Sequence, residues 1–310
     1  MAGTKRRRST VNGNAERLKG MFFVMMSSMS WGTSGILQAF APAGAHPLTV
    51  GAVRVVFAGF FLAAYMLVKG DGVLPAFRKT PLVPLLITVT GVMGYQFAFF
   101  TALTLTGVSI GSMIAIGASP IVAGVFGALF EREPLSGRWA VSTLVAITGC
   151  VLLLGGGSSG SLAINWTGAA LALLAAFCYA LLGLGMKRLA ARLSTAETAT
   201  VTTVASLAIG IPVICAFGPS WIFTPRGFAV ASALGVLTEA LPMFLYATGL
   251  RMVYLRDAYV VSLVEPLTAC LLSALLLGER LTPVSLAGAA FILCGVLMIS
   301  PSSGREPQPE

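Results

Sequence analysis

Charge is what this sequence holds least of. Asp, Glu, Lys and Arg make up 10% of its 310 residues, where a soluble domain carries about 25%. So few charges cannot cover a water-facing surface, which excludes a soluble globule. The 56% of apolar residues excludes a disordered chain. Histidine is scarcer still: His46 is the single one, in a predicted loop. It reads as a solvated residue or, on the sharper reading, as a gate or proton carrier. No cluster of His, Cys, Asp and Glu has metal-ligand spacing, so neither a metal nor another cofactor is expected. No Gly-x-x-x-x-Gly-Lys-Ser/Thr loop is present to cradle a nucleotide phosphate, and no convergent acidic or His pair marks a membrane-embedded enzyme. Cys150, Cys178, Cys215, Cys270 and Cys294 all lie in apolar runs, as small core hydrophobes rather than a disulfide framework. The net charge of +9 is no sign of a nucleic-acid partner, because the basic residues sit in short pieces between apolar spans.

What is there is a series of long apolar runs. A bilayer core needs about 20 apolar residues per helix. Ten stretches qualify: 21–40, 48–68, 82–104, 107–130, 138–156, 166–190, 196–217, 226–249, 257–277 and 283–300. None alternates apolar with polar as a membrane strand would, so the fold class is all-α integral membrane with ten transmembrane helices. With the N-terminus inside, all of the 20 Lys and Arg except Arg54, Arg226 and Arg280 fall in the helices' cytoplasmic connections or the tails. That is the positive-inside pattern, and it places both termini in the cytoplasm. Ala39-Phe40-Ala41 resembles a signal-peptide cleavage site, but the apolar run before it is too long and Pro42 follows it.

The two halves repeat. Gly20 aligns with Gly168, Trp31 with Tyr179 and Phe99 with Tyr246; Pro120, Glu133, Leu135 and Gly149 align at constant spacing with Pro266, Glu279, Leu281 and Gly295. The expected organisation is a basic tail over 1–19, five helices over 20–155, an outer linker over 156–165, five helices over 166–300 and a tail over 301–310. An odd number of spans per half turns the second copy upside down. Inverted repeats are the architecture of secondary transporters, with the solute site near the midplane and alternating access between the halves.

Ser119-Pro120 with Glu133-Pro-Leu-Ser136, Glu265-Pro266 with Gly278-Glu-Arg-Leu281, Arg54, and the closing Gly149 and Gly295 give the chain a resemblance to the drug/metabolite transporter superfamily, in its ten-helix EamA-type branch. Trp31-Gly32 and the aromatic third span (Tyr95, Phe97, Phe99, Phe100) make it similar to the YddG-type amino-acid exporters. The resemblance implies a monomeric basket of helices in the inner (plasma) membrane, around a central cavity that exports amino acids or related metabolites. Its partners would then be a small-molecule solute and lipid. A nucleotide-sugar or sugar-phosphate carrier is the alternative, and a membrane enzyme the weaker one. The second half departs from the first in having Thr202 where Arg54 would repeat.

Few residues could carry the chemistry. Intramembrane charges cost about 2.5–3.5 kcal/mol each on insertion scales, so Arg54, Glu239 and Glu265 should face the interior. Arg54 reads either as a structural ion pair or as a partner for a solute carboxylate. Glu265, before Pro266, caps a kink or binds solute. Glu239 is expected to bind an amine or a proton, since no kink or interface explains it. Helical spacing groups Glu239 with Met243 and Tyr246, Val92 with Gln96 and Phe99, Ser112 with Ala115 and Ser119, and Ser262 with Glu265. With Tyr95 these stripes describe a cavity of aromatic walls and a few polar points. Pro120 and Pro266 are the expected hinges. Trp31 and Tyr179 are expected to face one another across the site and to hold an ammonium or an aromatic ring between them.

Overall fold

The computed structural model describes residues 2–42, 45–156, 165–276, 278 and 281–300. Among these residues all regular structure is helical. The first helix, α1 (Ala2–Gly32), runs without a break through the expected tail and is followed after Thr33 by the short α2 (Ser34–Ala39). Then come α3 (Pro47–Val68), the short α4 (Val73–Lys79), α5 (Leu82–Thr106), α6 (Val108–Phe130), α7 (Gly137–Gly155), α8 (Trp166–Ala190) and α9 (Thr195–Phe217). The chain continues through α10 (Pro225–Gly235), a π turn over Val236–Ala240, α11 (Leu241–Leu250), α12 (Leu255–Ser262), α13 (Val264–Leu276) and α14 (Pro283–Ile299).

Eight stretches are long and apolar enough to cross a bilayer, and Pro283–Ile299 is a shorter apolar helix. Two of the ten expected spans therefore differ. The 21–40 run is interrupted at Thr33, and α14 has 17 residues, or about 26 Å of helix at 1.5 Å per residue. Of the expected outer linker, 157–164 lie outside the described residues, as do Glu279, Arg280 and the 301–310 tail.

The helix starts follow from capping chemistry. Ser136, Asn165, Ser194, Thr224 and Thr282 each accept a hydrogen bond from a backbone N–H of the first turn, satisfying a donor that would otherwise be orphaned. Lateral packing pairs α5 with α8, α7 with α14 and α3 with α9. Gly149 and Gly288 let α7 and α14 approach until backbone meets backbone: a Cβ on Gly149 would lie 2.5 Å from the Ile292 nitrogen, and one on Gly288 would collide with Leu153. In lipid, where apolar burial drives nothing, such close van der Waals contact is what holds helices together.

The prolines sit differently in the two halves. Pro120 lies inside an unbroken α6. It lacks the N–H that would bond to the Ile116 carbonyl, and the Ser119 hydroxyl donates to that carbonyl instead, at 2.8 Å. In the second half the helix breaks at Leu263, three residues before Pro266. Pro266 then sits in the first turn of α13, where a missing N–H costs no helical bond. Pro242 follows the π turn, and the extra residue in that turn accommodates its lost hydrogen bond.

Candidate functional site

A cavity of about 700 Å³ opens among these interruptions. Its wall includes Trp31, Gly32 and Ser34 at the α1–α2 break, Glu239 in the π turn, and Glu265 and Pro266 just after the α12–α13 break. Gly32 is required there. A Cβ on it would lie 2.6 Å from the Glu265 carbonyl oxygen, so α1 and α13 touch at their two interruptions. Arg54 of α3 and Val92, Tyr95, Gln96 and Phe99 of α5 complete the part of the wall that helical spacing anticipated. Ser34 and Gln38 add polar lining that the sequence analysis missed, because they belong to α2 and not to the stripe of a continuous first span.

The charges arrange themselves otherwise than expected. Arg54 Nε lies 3.0 Å from Glu239 Oε2, with side chains only 13% and 2% exposed, and Arg54 Nη1 donates to the Ser34 hydroxyl at 3.2 Å. Of the two readings of Arg54, the geometry is that of the ion pair. Glu239 has both a kink and a partner, contrary to the expectation that nothing structural accounts for it. Glu265 lines the same cavity, and no hydrogen bond or ion pair reaches its carboxylate among the described residues.

The rings form a continuous wall. Trp31 meets Tyr179 edge to face at a centroid distance of 6.0 Å and Tyr246 at 5.2 Å. Tyr179 continues to Tyr95 at 5.3 Å, and Tyr95 stacks on Phe99 at 5.0 Å. The expected pair of Trp31 and Tyr179 is thus in direct contact, and nothing fits between the rings. Packed edge to face, they wall the site from one side. Met243 lines the cavity, but Tyr246, one turn further on, is fully buried behind Trp31. Ser262 is buried too: its hydroxyl donates to the Ala258 carbonyl at 2.9 Å and lies beside Tyr179 and Tyr246. Ser112 lines the cavity, whereas Ser119 and Pro120 do not. The bond from Ser119 to Ile116 turns its hydroxyl back onto its own helix.

The cavity occupies one end of the bundle. Leu103, Thr104, Val108 and Leu154, at the adjoining ends of α5, α6 and α7, belong to its wall. The far end of α6 is closed by a network of buried charges. Glu133 is 5% exposed. It accepts hydrogen bonds from the Leu255 N–H at 2.7 Å, the Arg256 N–H at 3.1 Å and Lys187 Nζ at 2.7 Å. Lys187 also donates to the Val253 carbonyl at 2.9 Å. Asp257, fully buried, takes Arg17 at 2.8 Å and Arg256 at 3.4 Å, and Arg188 pairs with Glu131 at 2.7 Å. Tyr254 lies under three of the cations, with Arg256 at 4.9 Å from the ring centroid. Burial pushes its phenol above the usual range. Sequence reasoning used Glu133 as a repeat and motif position, and missed Asp257. The available signal was an acid standing beside Arg256 at the head of an apolar run.

The profile of the EamA-like transporter family matches residues 18–155 and again 166–300. The chain belongs to the EamA-like transporter family. Among its relatives, the uncharacterized transporter YwfM of Bacillus subtilis is 33% identical over 93% of this chain and 96% of its own length. The threonine/homoserine exporter RhtA of Escherichia coli K12 is 29% identical over 88% of each chain. A solved crystal structure shares the fold at a TM-score of 0.79 and 20% identity, covering 90% of this chain and 95% of the other. This EamA-family protein is therefore a multi-pass membrane transporter of small molecules, with an all-helical fold.

Proposed function

We propose that this protein is a secondary transporter that exports amino acids across the inner membrane by alternating access. In this reading residues 20–155 and 166–300 are two inverted five-helix repeats, giving ten crossings in a monomer with both termini in the cytoplasm. The basic connections support that orientation, since Arg132, Arg138, Lys187, Arg188, Arg251 and Arg256 then face inward together. The observation that carries the proposal is a cavity walled by rings and charges at one end of the bundle and shut off at the other by a buried network joining elements of both halves. With the network on the cytoplasmic side, this is an outward-open state. Opening inward requires the contacts of Glu133 and Asp257 to part while the outer ends of the helices close.

The name of the RhtA relatives points to hydroxylated amino acids. The aromatic wall of Trp31, Tyr95, Phe99 and Tyr179 extends the range to aromatic ones. The alternative carrier of sugar phosphates is disfavoured by the cavity's charge: its one guanidinium, Arg54, is already matched by Glu239, and phosphate recognition calls for free cations. The test is counterflow in proteoliposomes with radiolabelled threonine, homoserine and phenylalanine against a nucleotide sugar, with and without a pH gradient. Exchange of amino acids is expected. Movement of the nucleotide sugar alone would overturn the proposal.

A further inference from the structure

Three charged side chains line the cavity, and two of them cancel. Arg54 is joined to Glu239 at 3.0 Å, and no second cation lines the wall to pair with Glu265. A carboxylate set among apolar walls and short of a counter-charge is costly unless one arrives. The sequence offered a structural account, in which Glu265 caps amides freed near Pro266. No such hydrogen bond exists among the described residues. Glu265 instead sits in the first turn of α13, a 13-residue helix, whose positive end favours the ionised carboxylate without using it up.

We infer that the Glu265 carboxylate is the seat of the solute's ammonium group; this deepens the export reading above and rests on it. An ammonium offers three donors and no acceptor, which suits a carboxylate on a wall that also carries the side chains of Gln38 and Ser112. Trp31, Tyr95 and Tyr179 line the same wall, and aromatic rings attract a cation within about 6 Å of their centroids. A bare metal ion is a poor fit. Hard cations take six or more oxygen ligands, and the described residues hold no group of three or more acidic, His or Cys side chains that could bind one. The solute class is therefore a primary amine, with the amino acids as its zwitterionic members. Arg54, held by Glu239 and Ser34, is a positioning residue for the wall.

The test uses full-length protein in proteoliposomes with three probes: L-threonine, N-acetyl-L-threonine and 2,3-dihydroxybutanoate, in which a hydroxyl replaces the amine. Wild type should exchange threonine and neither analogue. Glu265→Gln should weaken threonine exchange by about 10- to 100-fold, the loss of one charge-assisted hydrogen bond, with an unchanged thermal midpoint. Glu265→Asp, which keeps the charge, should retain more exchange than Glu265→Gln, and it serves as the informative variant if Glu265→Gln does not fold. Equal exchange of threonine and 2,3-dihydroxybutanoate by wild type would overturn the ammonium seat, as would full threonine exchange by Glu265→Gln. If wild type moved none of the three probes but did move a nucleotide sugar, the export reading itself would fall, and the seat with it.

Discussion

Replacing Glu133 by Gln tests whether the buried network is a gate. The substitution preserves shape and removes the charge that the Leu255 N–H, the Arg256 N–H and Lys187 all address. Removing one partner of a fully buried ion pair costs about 3–5 kcal/mol. Here the Lys187 side chain is 20% exposed and keeps its bond to the Val253 carbonyl, so the loss is discounted for solvent screening to about 2–3 kcal/mol. At about 1.4 kcal/mol per decade, that moves the balance between closed and open cytoplasmic ends by about 30- to 150-fold. The assay is double electron–electron resonance between spin labels at Leu135 and Ala191, both exposed, in a background without the native cysteines. Glu133→Gln should add or enlarge a longer-distance population. Glu133→Gln with Lys187→Gln should be less than additive, because the two residues share one interaction. An unchanged distance distribution, with thermal unfolding of the variant also unchanged, would refute the gating argument.

Three further outcomes follow from the geometry. Arg54→Gln and Glu239→Gln should each lower stability in detergent by about 3–5 kcal/mol, and the double variant by less than either single one, since it leaves no buried charge unpaired; additive losses in thermal unfolding would dissolve the pair. Trp31→Ala should cost about 3–5 kcal/mol through lost packing on Tyr179 and Tyr246 and lower phenylalanine exchange more than threonine exchange, while Trp31→Phe keeps most of both; equal losses for both solutes would make Trp31 structural only. Single cysteines at Ala191 and Phe223 report topology: in intact cells an impermeant maleimide should label position 223 and spare position 191, and the reverse pattern would invert the orientation.

Much of the cavity wall was legible in the order of residues. Val92, Gln96 and Phe99 recur at helical spacing, and all three line the cavity, because α5 is a continuous helix whose stripes survive folding. Prediction faltered where helices break. Ser262 and Glu265 read as one stripe, yet the interruption at Leu263 separates them, leaving Glu265 on the cavity and Ser262 behind it. Ser119 read as a polar point, but the neighbouring proline freed a carbonyl that claims its hydroxyl.

Composition alone determined that the chain lives in a membrane, because a polypeptide with so few charges has no way to cover itself in water. The apolar run lengths determined the helices, because lipid leaves backbone amides no partners but their own. What only the tertiary structure decided is which charge meets which. Arg54 and Glu239, Glu133 and Lys187, and Arg17 and Asp257 are far apart in sequence, and no periodicity links them. The π turn aims Glu239 at Arg54, the other two pairs form where α1, α8 and the start of α12 meet the end of α6, and the break at Leu263 sets Glu265 on the cavity. The same breaks leave Glu265 alone on the wall, a fact of three dimensions that the sequence states nowhere.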